Sequence, residues 1–156
     1  MTIRFRPHHL LCVLTYVGRG YSPAFTANFD VIAGRIVRGE DILVVDGPDD
    51  VCAPLLGDVG AHCVRDSVIE RDHLAARDVG RLLGRPIEAG QRLTLDGELL
   101  GRMREAFSSG RTRSACAGCE WTGLCGTIAA GGFRGAAVPD DRGSRVRRPL
   151  PGRCPA

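Results

Sequence analysis

Lysine is absent from this chain of 156 residues, in which all 21 basic residues are arginine. A lysine that forms a Schiff base, or one that contacts the phosphates of a P-loop, is therefore excluded. No apolar run approaches the ~18 residues that a membrane-spanning helix needs. A secretory signal is not expected either, because Pro7-His8-His9 interrupts the short apolar run near the N-terminus. We therefore expect a cytoplasmic chain without membrane contact.

Aromatic residues are scarce, at 5%, whereas the 44% of hydrophobic and 25% of charged residues are ordinary for a globular protein. These fractions exclude a chain that is disordered throughout, a collagen and a coiled coil. The length is typical of one compact domain. We place that domain at residues 1–130 and expect residues 131–156, which are rich in Gly, Pro and Arg, to form a flexible tail.

The net charge of +3 comes from residues 140–156, within the predicted tail. Residues 140–156 contain five Arg and two Asp, so residues 1–139 carry 16 basic and 16 acidic side chains. Residues 1–139 are therefore neutral overall. A nucleic-acid-binding face across the predicted domain is not expected, because such a face requires clustered positive charge.

The pattern of apolar residues predicts an α+β fold that is mostly helical, with a few short strands. Strands are expected at residues 2–6 and 42–45, where apolar and β-branched residues predominate. Four helices are expected from their caps and breaks: one from Pro7 to about Val17, one from N-cap Ser22 to Gly39, one from the capping box Ser67-x-x-Glu70 to Gly84, and one capped by Asp96.

Seven cysteines are more than a cytoplasmic chain needs for packing, and their odd number excludes complete intrachain disulfide pairing. The strongest motif is Cys116-x2-Cys119-x5-Cys125 near the C-terminus. A C-x2-C step directs two thiolates at one centre, and Gly118 supplies the backbone freedom of a tight turn. We therefore predict a Cys-rich metal-binding loop here, whose fourth ligand comes from elsewhere. Buried structural thiols are the alternative, and Cys154 in the tail is not expected to bind metal.

Two further groups supply candidate ligands. Cys52 and Cys63 are separated by a loop that contains Gly and Pro. In His8-His9-x-x-Cys12, a helix that begins near Pro7 places either histidine on the same face as Cys12. Such a histidine can bind the metal, donate a hydrogen bond to a cluster sulfur or carry a proton. Histidines that cap a helix or lie in the core are the alternative.

Three segments of the chain match a known pattern: Arg6-Pro-His-His-Leu-Leu-Cys12, Gly20-Tyr-Ser-Pro-Ala-Phe25 and Asp49-Asp-Val-Cys52. With these segments the chain resembles the small bacterial and archaeal family called domain of unknown function 1284, over about residues 3–130. The resemblance implies iron–sulfur binding and no particular reaction. Some members have C-x2-C after the Asp-Asp pair, whereas this chain has Leu55 in place of the second cysteine. This departure suggests that Cys116, Cys119 and Cys125 supply the missing ligands.

We favour a [4Fe–4S] cluster bound by Cys116, Cys119, Cys125 and one of Cys52 or Cys63. Cys12, with His9 or His8, would then lie beside the cluster as a neighbour or alternative ligand. A single C-x2-C step, where zinc fingers usually have two, favours a cluster over zinc. The corresponding function is electron transfer or redox sensing, with a protein as redox partner.

Other interpretations stay open from the sequence. Two separate metal sites are conceivable if the helices bring Cys12, Cys52 and Cys63 together. A zinc-stabilised interaction module would use its Arg-rich tail to contact an acidic partner or nucleic acid. An enzyme would use His8 or His9 with Cys12 as a catalytic pair. The pair Asp49-Asp50 is interpreted as a capping turn in preference to an acid/base pair.

Overall fold

The structure, a computed structural model, describes residues 1–60 and 63–140. Within these residues, five α-helices accompany one small sheet, which confirms the predicted α+β, mostly helical single domain. The strands are β1 (Thr2–Phe5), β2 (Asp41–Val44) and β3 (Arg92–Leu93). The helices are α1 (His9–Thr15), α2 (Pro23–Val37), α3 (Asp66–Leu83), α4 (Gly97–Ser108) and α5 (Thr122–Ala130), and single 3-10 turns lie at Ala53–Leu55 and Ser114–Cys116.

The sheet has the order β1-β2-β3, with β1 and β2 parallel and β2 and β3 antiparallel. Ile3 lies opposite Ile42, which in turn lies opposite Leu93. Alternate side chains of β1 and β2 point into the core, as the pleat of a strand requires. The sheet therefore carries one buried face, on which the helices pack to form a single apolar cluster.

Local signals at the starts of α2 and α4 are confirmed. The Ser22 hydroxyl accepts a hydrogen bond from the backbone N–H of Phe25, and Pro23 is the first residue of α2. The Asp96 carboxylate accepts the N–H of Leu99 at the start of α4. Both contacts satisfy donors that a helix N-terminus leaves without partners.

Two helix boundaries differ from the predictions. The capping box of α3 is wrong: the helix already begins at Asp66, so Ser67 lies inside the first turn, and Arg65 at the N-cap makes no side-chain hydrogen bond. An acidic residue in the first turn favours this earlier start. Helix α1 is shorter than predicted, because the extended backbone of Tyr16 ends it.

The packed domain extends beyond the boundary predicted at residue 130. Phe133 packs against Phe107, and Val138 is fully buried. The Arg104 guanidinium donates hydrogen bonds to the carbonyls of Leu14 and Val138, which fixes this segment against α1. The remainder of the predicted tail, with Cys154, lies outside the described residues.

Helices α3 and α4 bury apolar side chains such as Val79, Leu100 and Met103. They also bury three charged side chains, those of Asp72, Asp78 and Arg104. Among the described residues, no helix has both the length and the apolar character that crossing a membrane requires.

Candidate metal centre

Four cysteine side chains line one cavity. Cys12 comes from α1, Cys116 from the second 3-10 turn, Cys119 from the loop that follows and Cys125 from α5. The predicted loop is thus partly helical, because Cys125 lies in the first turns of α5. Packing of α1 against α4 and α5 brings Cys12 to the three C-terminal thiols from the opposite end of the chain.

The backbone turns the three C-terminal cysteines toward one another. The N–H of Cys119 donates to the carbonyl of Cys116 at 3.1 Å, and the N–H of Cys125 donates to the carbonyl of Trp121 at 2.9 Å. Between them Gly118 adopts a φ of 74°, a left-handed conformation that glycine reaches without steric cost. The step from Cys116 to Cys119 therefore forms a tight turn around Gly118, and Cys125 follows in the first turn of α5.

Neighbouring elements hold this turn in place. The Asp78 carboxylate of α3 accepts the backbone N–H of Ser114 at 3.1 Å. The Arg113 guanidinium lies 4.6 Å from the ring centre of Phe107 and donates to the carbonyl of Thr122. The position of Cys116 is therefore set by α3 and α4 as well as by its own loop.

We expect Asp78→Ala to lower the free energy of unfolding by about 1.5–3 kcal/mol, the range for hydrogen bonds to charged groups. Burial alone would raise the pKa of Asp78, but hydrogen bonds from Ser114 and Arg77 outweigh it and hold the pKa below 3.8. The contribution is therefore present above about pH 4 and is lost as the pH falls through the folded-state pKa. Urea unfolding at neutral and acid pH measures it. Asp78→Asn, which keeps an acceptor, is the control and should cost less.

The cavity disfavours the thiolate forms of Cys12, Cys116 and Cys125. Burial raises the pKa of Cys12 well above the ordinary value of 9.0, and the other three thiols raise it further. Burial also raises the pKa values of Cys116 and Cys125, although the Thr15 hydroxyl donates to Cys125 Sγ at 3.1 Å. Protonated thiols are weak nucleophiles, whereas a metal ion can replace their protons. The arrangement therefore suits ligation better than attack on a substrate by Cys12.

Aromatic side chains flank the cysteine cavity. Trp121, between the second and third cysteines of the motif, packs edge-on against Tyr21, with ring centres 5.5 Å apart. Tyr21 in turn packs edge-on against Phe25 at 5.4 Å, and all three residues line the cavity. This aromatic wall limits the access of water from that side.

Cys52 and Cys63, both buried, do not line this cavity but a neighbouring pocket. His8 and His9 line both spaces and lie between the two groups of cysteines. The structure thus brings Cys12, in place of Cys52 or Cys63, to the three C-terminal cysteines.

His9 is held by Asp49, whose side chain is completely buried. One carboxylate oxygen accepts from His9 Nδ1 at 2.6 Å and from the N–H of Arg6 at 2.7 Å. The other oxygen accepts the N–H groups of Val51 and Cys52, which confirms the capping turn at Asp49-Asp50. Burial would raise the pKa of Asp49, but His9 and these hydrogen bonds lower it to about 2. Asp49 is therefore ionised, and its four lone-pair positions are filled.

His8 is held in the same way by Asp72 of α3. His8 Nδ1 lies 2.6 Å from one carboxylate oxygen of Asp72, and the buried Arg6 donates through Nε to the other at 2.8 Å. Arg6 Nη2 lies equally close to that second oxygen, without the geometry of a hydrogen bond. Burial and the charge of His9 lower the pKa of His8 to about 4, so its ring is neutral at pH 7 and donates to Asp72 through Nδ1.

Arg6 also joins this network to the second pair of cysteines. Its Nη1 donates to the carbonyl of Cys63 at 2.7 Å and lies 3.9 Å from Cys52 Sγ. The sequence patterns do not predict Arg6 or Asp72 as site residues. A signal for Asp72 exists, because it is a charged residue in the helical stripe of Val68, Ala75 and Val79.

One group has the close spacing that a single metal ion requires. Ligand atoms of His9, Asp49 and Cys52, all buried, lie within 4.8 Å of one another, and it is the only such group of three or more His, Cys, Asp or Glu side chains in residues 1–60 and 63–140. A possible metal site therefore exists beside the cavity of four cysteines, and it includes two predicted ligands.

Comparison with known proteins identifies the family and no function. A family model described as "Protein of unknown function (DUF1284)" matches residues 20–125. The match includes five of the cysteines in the two groups, whereas the segment from Arg6 to Cys12 precedes it. Curated proteins and solved structures gave no match. The resemblance seen in the sequence segments is thereby confirmed. Because the family model covers more than half of the sequence, the chain belongs to the DUF1284 family.

Proposed function

We propose that the protein binds an iron–sulfur cluster through Cys12, Cys116, Cys119 and Cys125. The observation that carries this proposal is the convergence of four thiols on one cavity, one from α1 and three from residues 116–125. A set of four thiolates is the usual ligand set of [2Fe–2S] and [4Fe–4S] clusters. The residues present therefore fit the group that the family resemblance implies.

The spacing of the thiols favours a cluster over a single zinc ion. In tetrahedral zinc sites the Zn–S distance is about 2.3 Å, so the sulfurs stand about 3.8 Å apart. Within the described residues, no three cysteine sulfurs lie within 4.8 Å of one another. In a [4Fe–4S] cluster each cysteine binds a different iron, so the sulfurs are held further apart than around one ion.

The surroundings suit a role in electron transfer or redox sensing. A bound cluster supplies one-electron chemistry whose potential depends on its exposure and hydrogen bonds. Trp121 and Tyr21 shield one side of the cavity, while Cys116, Cys119 and Cys125 are only partly buried. Partial exposure gives a partner protein a short path to the site. The Thr15 hydroxyl and Arg113 provide polar groups beside the sulfurs.

The experiment is a metal and sulfide analysis of the whole chain, purified without oxygen. We expect about four iron and four acid-labile sulfide per chain, together with a visible absorption that dithionite bleaches. A colourless protein with one zinc and no sulfide per chain would contradict the cluster and favour a zinc-stabilised module.

A further inference from the structure

We propose that the exposed side of the four-cysteine cavity docks an acidic electron-carrier protein, which exchanges one electron with the cluster. This docking face is formed by Arg19, Tyr21, Arg71 and Trp121, all of which line the cavity. The inference rests on the cluster proposed above and names the chemistry of its partner. The transfer makes and breaks no bond and moves no proton, because the reduced cluster loses one electron and the oxidised centre of the partner gains it.

The docking face carries positive charge. Arg19 is exposed and Arg71 is partly exposed, and neither guanidinium forms a hydrogen bond or ion pair with the described part of the chain. Among the described residues that line the cavity there is no Asp or Glu. Arg113, which contacts Cys116, adds a third positive charge, and the exposed Glu120 opposes the three arginines with one negative charge. Such a surplus of unpaired positive charge attracts an acidic partner and speeds its encounter.

Two aromatic side chains add contact area to the docking face. Tyr21 is 42% exposed, although its ring packs edge-on against Trp121. Burial raises the pKa of Tyr21, and the charges of Glu120 and Cys119 raise it further, so the hydroxyl lies within electrostatic reach of a proposed cluster ligand. Tyr, Trp and Arg are the residue types that contribute most binding energy at protein interfaces. A partner bound at Tyr21 is therefore close to the cluster.

A protein fits the docking face better than a nucleic acid, which is the other common acidic partner. Nucleic acids bind to positive charge that extends along a stripe or across a face, because phosphates recur along their backbone. The positive charge described here is confined to three arginines near an aromatic pair, and residues 1–139 are neutral overall. Weak redox encounters between proteins bury little area, which a few charges and two rings can supply.

The test compares two electron acceptors that share a haem and differ in charge: basic cytochrome c, and succinylated cytochrome c, whose lysine amines carry carboxylates. The full chain is purified without oxygen and reduced with dithionite, and the excess dithionite is removed. Stopped-flow absorption then gives the rate constant for reduction of each haem. At about 0.01 M salt we expect the succinylated form to react at least about tenfold faster. The ratio of the two rate constants should approach one at about 1 M salt, where charges act over only about 3 Å.

Charge reversal on the docking face identifies the arginines responsible. Arg19→Glu and Arg71→Glu should each lower the ratio at least about threefold at low salt, because each replaces an attractive charge with a repulsive one. Arg81→Glu is the matched control, since Arg81 is an exposed residue of α3 that lines neither cavity. A ratio at or below one in the unmodified chain overturns the proposal, as does an equal effect of all three substitutions. A preference that survives both Arg19→Glu and Arg71→Glu also overturns it, because the attraction would then come from residues 140–156.

Two further measurements separate this proposal from its neighbours. If single-stranded oligo(dT) binds the chain more tightly than succinylated cytochrome c does, and Arg19→Glu weakens that binding, the face belongs to a nucleic acid and the proposal is rejected. Iron and acid-labile sulfide are measured in every sample. A chain without them rejects the cluster and this proposal together, whereas a loaded cluster without a charge preference rejects this proposal alone.

Discussion

A Cys12→Ser variant purified without oxygen is expected to lose most of its iron and acid-labile sulfide, although the substitution removes only one of the four proposed thiol ligands. Cys12 is the only thiol that α1 contributes to the cavity, so its loss leaves one iron of the proposed cluster without a protein sulfur. Serine has nearly the same shape, so the packing of α1 should change little. Iron, sulfide and visible absorption per chain measure the effect.

The matched control is the variant in which both Cys52 and Cys63 are replaced by Ser. These two buried cysteines line the other pocket, so iron and sulfide should be retained. If Cys52 or Cys63 is the fourth thiol, as the sequence favours, the double variant should lose its iron and sulfide and Cys12→Ser should keep them. Full iron content in Cys12→Ser, together with loss in the control, would therefore restore that ligand set and reject the one proposed from the structure.

The parts of this protein that the sequence predicts are those determined by neighbouring residues. Ser22 and Asp96 cap helices because a short polar side chain reaches the N–H three residues on. The turn of Cys116, Cys119 and Cys125 follows from close spacing and one glycine. Each of these features is decided within about ten residues, so no knowledge of the tertiary fold is needed.

The fourth thiol could not be selected in this way. Cys12 occupies a position on an apolar helix, where a cysteine is ordinarily a core residue. Only the packing of α1 against α4 and α5 places it beside Cys125, and that packing depends on apolar contacts across the whole domain. The local pattern therefore predicts Cys12 as a neighbour of the cluster or an alternative ligand, but it cannot rank Cys12 above Cys52 or Cys63.

The side chains that orient the histidines cannot be predicted from the local sequence for the same reason. His8 and Asp72 are 64 positions apart, and Arg6 and Asp72 are 66 apart. Their pairing depends on α3 lying across the N-terminal segment, for which the sequence contains no local signal. A charged residue in the buried stripe of a helix indicates that a partner exists, but it does not say which one.

Replacing Arg6 by Met is expected to lower the free energy of unfolding by about 3–5 kcal/mol, because the change removes one partner of a buried ion pair. Arg6 is fully buried, and its loss leaves the buried Asp72 carboxylate with His8 alone. The carbonyl of Cys63 also loses its donor. Urea unfolding of both proteins at the same metal content measures the difference.

Arg35→Met is the matched control, since it removes another arginine from an ion pair, here with Glu40. That pair is about a fifth exposed at both side chains, so water screens it more than the buried pair of Arg6, and its loss should cost less stability. Combining Arg6→Met with Asp72→Asn should recover part of the loss, because the second change removes the uncompensated charge while keeping an acceptor for His8. If Arg6→Met cost no more than Arg35→Met, the buried network would not be the support of the histidine pair, and the orientation of His8 would have to come from α1 itself.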